Sequence, residues 1–411
     1  MIHQLPEHIL SPDTQAVLLM CGRLGGRRDG ADPLTDSEYN LLAMWLQNQE
    51  MRPADLLGED GRHLLEESGL PVSASRLQAL LERGTTLALA VESWSNKGLW
   101  VLSRSDEQYP RRLRGREKPA PPILYGVGDA DLLSHGGLAI VGSRDVDDEA
   151  LDFSRAVARA CAKQGMQVVS GGARGVDTEA TVAALEAGGS AVGVLSNSLA
   201  RAAVTGKYRA ALQEGRLAFI SPYDPGSGFN VGHAMQRNRH IYALADQGLV
   251  VSSAFGEGGT WSGAVEALKH EEAVFVRSRG QEIPEGNRNL ERMGALSFPE
   301  NPWTNLAEKL QQAAEKRGMP QEQLIQDHFF NEQPEEVVSE QHEVSPFETA
   351  YDAVLPLLLK HLEQPLESKA LAELLDANIG QTQSWLKRAV EEEKVKKTKK
   401  PVRYVAGSRV P

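Results

Sequence analysis

Residues 170–177 read Ser170-Gly171-Gly172-Ala173-Arg174-Gly175-Val176-Asp177, and the way the chain enters and leaves them decides the fold. Ahead of them lie Gly165, a helix stop, and the short β-branched run Gln167-Val168-Val169; behind them residues 178–187 are compatible with a helix. The order is therefore strand, glycine turn, helix. In such a turn the glycines tolerate positive φ and let a ligand come close, while the helix N-terminus offers unpaired N–H groups to an anion. A phosphate is the natural guest.

The same layout occurs twice more. Leu138-Ala139-Ile140-Val141 reads as a buried strand ending in Gly142-Ser143-Arg144 before a helical segment at 149–163. Leu249-Val250-Val251 is followed by Gly256-Glu257-Gly258-Gly259-Thr260 and a helix expected over 263–270. Strands alternating with helices predict an α/β fold with a parallel sheet, whose glycine turns gather on one edge. On that edge we expect Gly142, Ser143, Arg144, Ser170, Gly171, Gly172, Arg174, Gly175, Gly258, Gly259 and Thr260 around an anion. Residues 236–239, Gln236-Arg237-Asn238-Arg239, follow a turn-dense loop at 223–229 and are expected at a helix start, with Arg237, Asn238 and Arg239 joining the same site. A single arginine is more often paired with a carboxylate, but Arg144, Arg174, Arg237 and Arg239 arrive separately at one edge, which favours an anion site.

Three motifs, GSR at 142–144, SGGARGVD at 170–177 and QRNRHIYALAD at 236–246, resemble in order and spacing those of the DNA-processing protein A (DprA/Smf) family. Tyr109-Pro110 and Pro122-Ile123-Leu124-Tyr125-Gly126 add to the resemblance, which covers 95–300. It implies a Rossmann-like core, non-enzymatic handling of single-stranded DNA, homodimerisation and a recombinase as protein partner. Three features depart from the pattern. Thr181 stands where the family commonly has His, the usual Tyr-Pro is missing near 199–208, and 256–267 is closer to the turn of lysine-decarboxylase-like nucleotide-binding proteins.

Around this core (93–300) the rest of the chain divides. Residues 1–92 read as a helical, SAM-like domain, with Thr35 and Glu38 in a capping-box pattern and a basic glycine cluster at 22–28 read as a solvated loop. Residues 301–345 read as a helical and then acidic linker, carrying six carboxylates and no Lys or Arg between 327 and 343. Residues 346–411 read as a winged helix, with Tyr351, Val354, Leu355 and Leu358 marking one helix face, Leu371, Leu374 and Leu375 a second, and Trp385 inward on a third helix.

The chain has 411 residues, 41% hydrophobic, and a formal charge of −12, which argues against coating nucleic acid over the whole surface. The charge is uneven: 381–411 holds an excess of six positive charges, including Lys387, Arg388, Lys396, Lys397, Lys399, Lys400 and Arg403. That excess suits duplex or single-stranded nucleic acid. No membrane-length apolar run and no signal pattern is present, so a cytoplasmic protein without a membrane partner is expected. Cys21 and Cys161 lack ligand partners at metal spacing, and neither a metal nor a cofactor is expected.

Three functions remain open at this level. The first is a DprA-like grip on single-stranded DNA in DNA processing and recombination, without catalysis. The second is a DprA-like regulatory or antitoxin component of an antiviral defence module, with an effector as partner. The third is a nucleotide-binding phosphoribosyl-type hydrolase using Glu266, with Asp177 as a base or merely a helix cap.

Overall fold

The computed structural model describes residues 10–24, 30–58, 61, 69–114, 120–315, 350–362, 364–375, 379–392, 394–398 and 403–406. It forms two compact units, Met1–Phe330 and Asn331–Pro411. The acidic stretch expected at 327–343, and Lys399 and Lys400, lie outside the described residues.

The first unit is built on a nine-stranded sheet in the order β1-β2-β6-β5-β4-β3-β7-β8-β9. The strands are β1 (Leu99–Ser103), β2 (Ile123–Gly128), β3 (Leu138–Gly142), β4 (Val168–Ser170), β5 (Ala191–Val194), β6 (Leu217–Ser221), β7 (Gln247–Ser252), β8 (Val274–Val276) and β9 (Leu296–Ser297). From β6 to β9 all neighbours are parallel, whereas β2 is antiparallel to both β1 and β6. β1 therefore runs the same way as β6, and its end at Ser103 joins the edge where the parallel strands also end.

Alternation along each strand sends Leu138 and Ile140 to one face and Ala139 and Val141 to the other. The first face is covered by α5 (Asp148–Lys163) and α6 (Val176–Glu186), through Val157, Cys161, Ala180 and Ala183. The second is covered by α7 (Val231–Leu244), α8 (Gly258–Lys269) and α9 (Glu285–Arg292), through Ile241, Leu244, Ala264, Leu268 and Leu290. The chain winds one way from β3 and returns on the other side of it at β7. β3 thus stands at the switch point where such sheets bind ligands.

The helical segment α1 (Pro12–Cys21), α2 (Asp36–Asn48), α3 (Ala74–Leu81) and α4 (Gly84–Ser95) shares a continuous core with the first face. α1 is buried from Ala16 to Met20, so its packing is not one-sided. Asp106, just after β1, accepts from Ser11 Oγ (2.7 Å) and Thr14 Oγ1 (2.5 Å) and ties the start of α1 to the sheet.

The second unit holds α11 (Ala350–His361), α12 (Ser368–Leu374), α13 (Ile379–Glu391) and an antiparallel pair, β10 (Val395–Lys397) and β11 (Tyr404–Ala406); α10 (Leu306–Glu315) belongs to the first unit. Its core includes Tyr351, Leu358, Leu371, Leu386 and Val395. Leu374, expected on an apolar helix face, is the last residue of its helix and is 55% exposed.

Candidate nucleic-acid interface

The turn from β4 into α6 is held from below. Ser170 Oγ donates to the Ile140 carbonyl at 2.6 Å and clamps the ends of β3 and β4 together. A side chain at Gly171 would overlap the Arg237 guanidinium and the Asp177 carboxylate, so only glycine closes this turn over that pair. Gly175 has φ +85°, and a Cβ there would lie 2.5 Å from the Arg144 carbonyl oxygen, so the turns after β3 and β4 are in direct contact.

Residues 237–239 lie in the middle of α7, not at its start. Asn230 caps the helix by accepting from His233 N at 3.0 Å, and the helix begins at Val231. At about 100° per residue, consecutive side chains of a helix must leave in different directions. Arg237 turns inward, 5% exposed, and its Nη1 donates to the Val194 carbonyl at the end of β5, 2.8 Å away. Asn238 reaches α8, where Nδ2 donates to the Gly259 carbonyl at 2.6 Å. Arg239 stays half-buried, within electrostatic reach of Tyr223 and Asp36. Arg237 thus differs from the phosphate ligand expected on the edge: it supports the turn from beneath.

Its partner is Asp177, also 5% exposed, with Oδ2 4.0 Å from Arg237 Nη1. Burial pushes the Asp177 carboxyl up to about 6, against the opposing pull of Arg237 and of the backbone amides of Ala173, Gly142 and Gly171. Burial also lowers Arg237. Desolvation outweighs attraction at this separation, and Asp177 Oδ1 and Arg237 Nε each lack a hydrogen bond. Thr181 Oγ1 bonds back to the Asp177 carbonyl at 2.9 Å.

Two arginines do reach the surface. Arg144 is exposed and lies 4.9 Å over the ring of Phe229, which is itself 37% exposed. The Arg174 side chain is 76% exposed and meets Asp145 at 2.5 Å. Ser143 is held to the end of β7 by its N–H, 2.9 Å from the Ser252 carbonyl. On the α5 side these arginines border an open cleft that also contains Asp145, Asp147, Glu179 and Glu282. A polyanion is repelled from that cleft, so the usable side of Arg144 is the one towards Phe229 and α7.

Gly258, Gly259 and Thr260 are the first turn of α8 rather than a loop before it. Neither α8 nor α6 has a side-chain cap, whereas α5 is capped by Asp147 and α7 by Asn230. The orphan N–H groups of the two uncapped helices face the edge on either side of β3. Glu266 is farther along α8, lining a narrow recess of about 20 Å³ with Arg239, His240, Tyr242, His270 and Glu272. Asp177 is not among the residues lining that recess; its carboxyl is enclosed with Arg237 beneath Gly171.

The cations of the second unit divide as well. Arg388 lies 4.1 Å over the Tyr351 ring and, with Lys394, pairs with Glu392 at 2.8 and 2.7 Å. Those two bonds, Arg388's second, hold the Glu392 carboxyl down at about 2. Lys387, Lys396, Lys397 and Arg403 are exposed, Lys397 lying 5.7 Å over the Tyr404 ring.

Sequence reading passed over the aromatic residues at the mouth. Phe255, 38% exposed, follows β7, and Tyr223 stacks on His233 with centroids 3.8 Å apart and rings 7° from parallel. Aromatic residues scattered through turn-rich loops carry no periodic signal, so only their common position on the edge reveals them.

Comparison with known proteins agrees with this fold. The family model for DNA recombination-mediator protein A matches residues 100–309, half of the chain. The DNA processing protein DprA of Streptococcus pneumoniae is 30% identical over 243 residues, covering 58% of this chain and 84% of that protein. Protein Smf of Synechocystis is 30% identical over 214 residues, and DprA of Bacillus subtilis 26% over 192; the chain spans 53% and 64% of their lengths. The X-ray structure of the Streptococcus pneumoniae protein shares the fold, with a TM-score of 0.53 at 23% identity over 70% of this chain and 94% of that one. The matched region runs from β1 into α10, carrying the three glycine turns with it, and the chain belongs to the DNA recombination-mediator protein A family.

Proposed function

We propose that the first unit binds single-stranded DNA along the sheet edge at the ends of β3, β4 and β7, and that it does so without cutting or modifying the strand. The observation that carries this reading is the placement of Arg144 and Arg174. Both are exposed on touching turns beside two uncapped helix N-termini, with Phe229 directly beneath one guanidinium. The Arg174–Asp145 pair is exposed on both sides, and such pairs contribute under about 1 kcal/mol, so a backbone phosphate can take Asp145's place. Phe229 and Phe255 offer faces for bases, where stacking contributes about 1–3 kcal/mol per base with little sequence preference. Duplex DNA keeps its bases in the stack and cannot use those faces, which favours the single strand.

The non-enzymatic part of the reading rests on Asp177 and Glu266. The first is committed to Arg237 and the second faces a different recess, so neither serves as an acid or base at the edge. We read the second unit as a winged helix whose ribbon, with Lys396, Lys397 and Arg403, touches duplex DNA. The test is competition between a labelled oligothymidylate and a duplex of equal length. Arg144→Ala with Arg174→Ala should abolish the preference for the single strand at an unchanged melting temperature. Retention of that preference in the folded double variant would remove the edge from the interface.

A further inference from the structure

The sheet edge does not stop at β6. Because β2 is antiparallel to both neighbours, β1 ends at Ser103 on the same edge as β3 to β7, and the next residue is Arg104. From β3 to β1 there are five strand spacings, ~24 Å of continuous edge. Arg104 lies 4.8 Å over the Tyr39 ring and donates Nη1 to Asn40 Oδ1 at 3.2 Å, so α2 is seated on this end of the edge.

The loop after α1 arrives at the same place. Gly22 packs against β2, where a Cβ would stand 3.4 Å from the Tyr125 hydroxyl, and Tyr125 pairs with Ser221 at the end of β6. Ser221 Oγ in turn accepts from Tyr223 N at 3.1 Å, and Tyr223 carries the stacked His233. Arg23, exposed and next to Gly22, is within electrostatic reach of His233 in that stack. Its charge is felt there: burial and then Arg23 lower the His233 imidazole. Arg239 approaches from α7, and Arg239 and Arg104 both act on the exposed Asp36 carboxyl. Neither Arg23 nor Arg239 makes a hydrogen bond or close ion pair among the described residues. Arg104 and Arg239 thus act together on the Asp36 carboxylate while Arg23 acts on His233, a local gathering of positive charge on a chain of net charge −12.

We propose that Arg23, Arg104 and Arg239 form a second phosphate-binding subsite at the junction of the helical layer and β1, so that a bound single strand runs from the glycine turns across the ends of β4, β5 and β6 onto the helical layer. The inference rests on the reading of the edge as a single-strand site and adds its path and length. The acidic cleft on the α5 side closes the opposite direction, and the Tyr223–His233 stack lies midway as an aromatic platform. A short strand occupies the glycine turns alone; a longer one covers both subsites. Arg23 and Arg239, which no motif assigns to a common site, act on the longer strand only.

The test uses the full chain with oligothymidylates of about 5 and about 20 nucleotides, which bracket the site sizes of single-strand binders. Arg23→Ala and Arg239→Ala should each leave the short oligonucleotide within about twofold of the unaltered protein and weaken the long one about three- to tenfold. Each should also make the long strand's slope of log affinity against log salt shallower by roughly 0.7. Asp36→Asn removes the carboxylate on which Arg104 and Arg239 both act and should tighten only the long strand, a gain that a damaged fold cannot imitate. If Arg174→Ala weakens both lengths while Arg23→Ala, Arg239→Ala and Asp36→Asn change neither, the second subsite is wrong and the edge reading stands. If the unaltered protein binds neither oligonucleotide, both are wrong.

Discussion

Arg237 Nη1 lies 4.0 Å from Asp177 Oδ2 beneath Gly171, with both side chains almost wholly buried. The arginine that the motif offers most conspicuously is thus a strut for the glycine turn. Its removal leaves a buried carboxylate without compensation, which costs about 3–5 kcal/mol. Arg237→Ala should therefore lose that much stability in denaturant titration, whereas Arg174→Ala, at an exposed position, should stay within about 0.5 kcal/mol of the unaltered protein. Equal stability of the two variants would contradict the assignment of Arg237 as a support.

The same pair makes a statement about pH. Asp177 ionises near 6 in the folded chain against 3.8 for an ordinary carboxyl. Between those values the folded state holds the extra proton, so this group's contribution to stability is fully present below about 4 and is lost as pH rises through about 6. Comparing the unaltered protein with Asp177→Asn, the difference in unfolding free energy should move against the unaltered protein over that window, by about 1–3 kcal/mol, and be flat above it. A difference that moves the other way would mean that Arg237 dominates the carboxyl after all.

The helical layer and the sheet should unfold together, since they share one core. Leu18 is fully buried in α1, and truncating such a side chain costs about 2–5 kcal/mol. Leu18→Ala should lower the stability of the whole first unit in one transition, followed by fluorescence of Trp94, which packs edge-on at 5.1 Å against Tyr125 of β2. Two separated transitions, with the sheet unaffected, would show that the helical layer is an independent domain.

Much of the sheet was legible because buried parallel strands are apolar runs bounded by glycine: β3, β4 and β7 begin or end within two residues of their expected positions. The starts of α5 and α6 were legible to the same degree, those of α7 and α8 were not. Val231 and Gly232 are poor helix formers, and the cap that licenses them, Asn230, is hidden in a run of turn residues, so the helix was expected to begin nearer Arg237. That shift changes the chemistry, because a mid-helix triplet sends Arg237, Asn238 and Arg239 to three different neighbours. In α8 two glycines masked the first turn in the same way. Arg23 and Arg104 were illegible as edge residues for another reason. Only the antiparallel addition of β2 and β1 brings them there, and pairing partners far apart in the chain leave no local pattern.

The central claim is that Arg144 and Arg174 hold backbone phosphates at the ends of β3 and β4. Each such contact releases about one counterion, so the slope of log affinity against log salt for an oligothymidylate measures it directly. The double variant Arg144→Ala, Arg174→Ala should give a slope shallower by roughly 1.4 than the unaltered chain, with base preference unchanged and the melting transition preserved. An unchanged slope in the folded double variant would show that the edge holds no phosphate and would contradict the account.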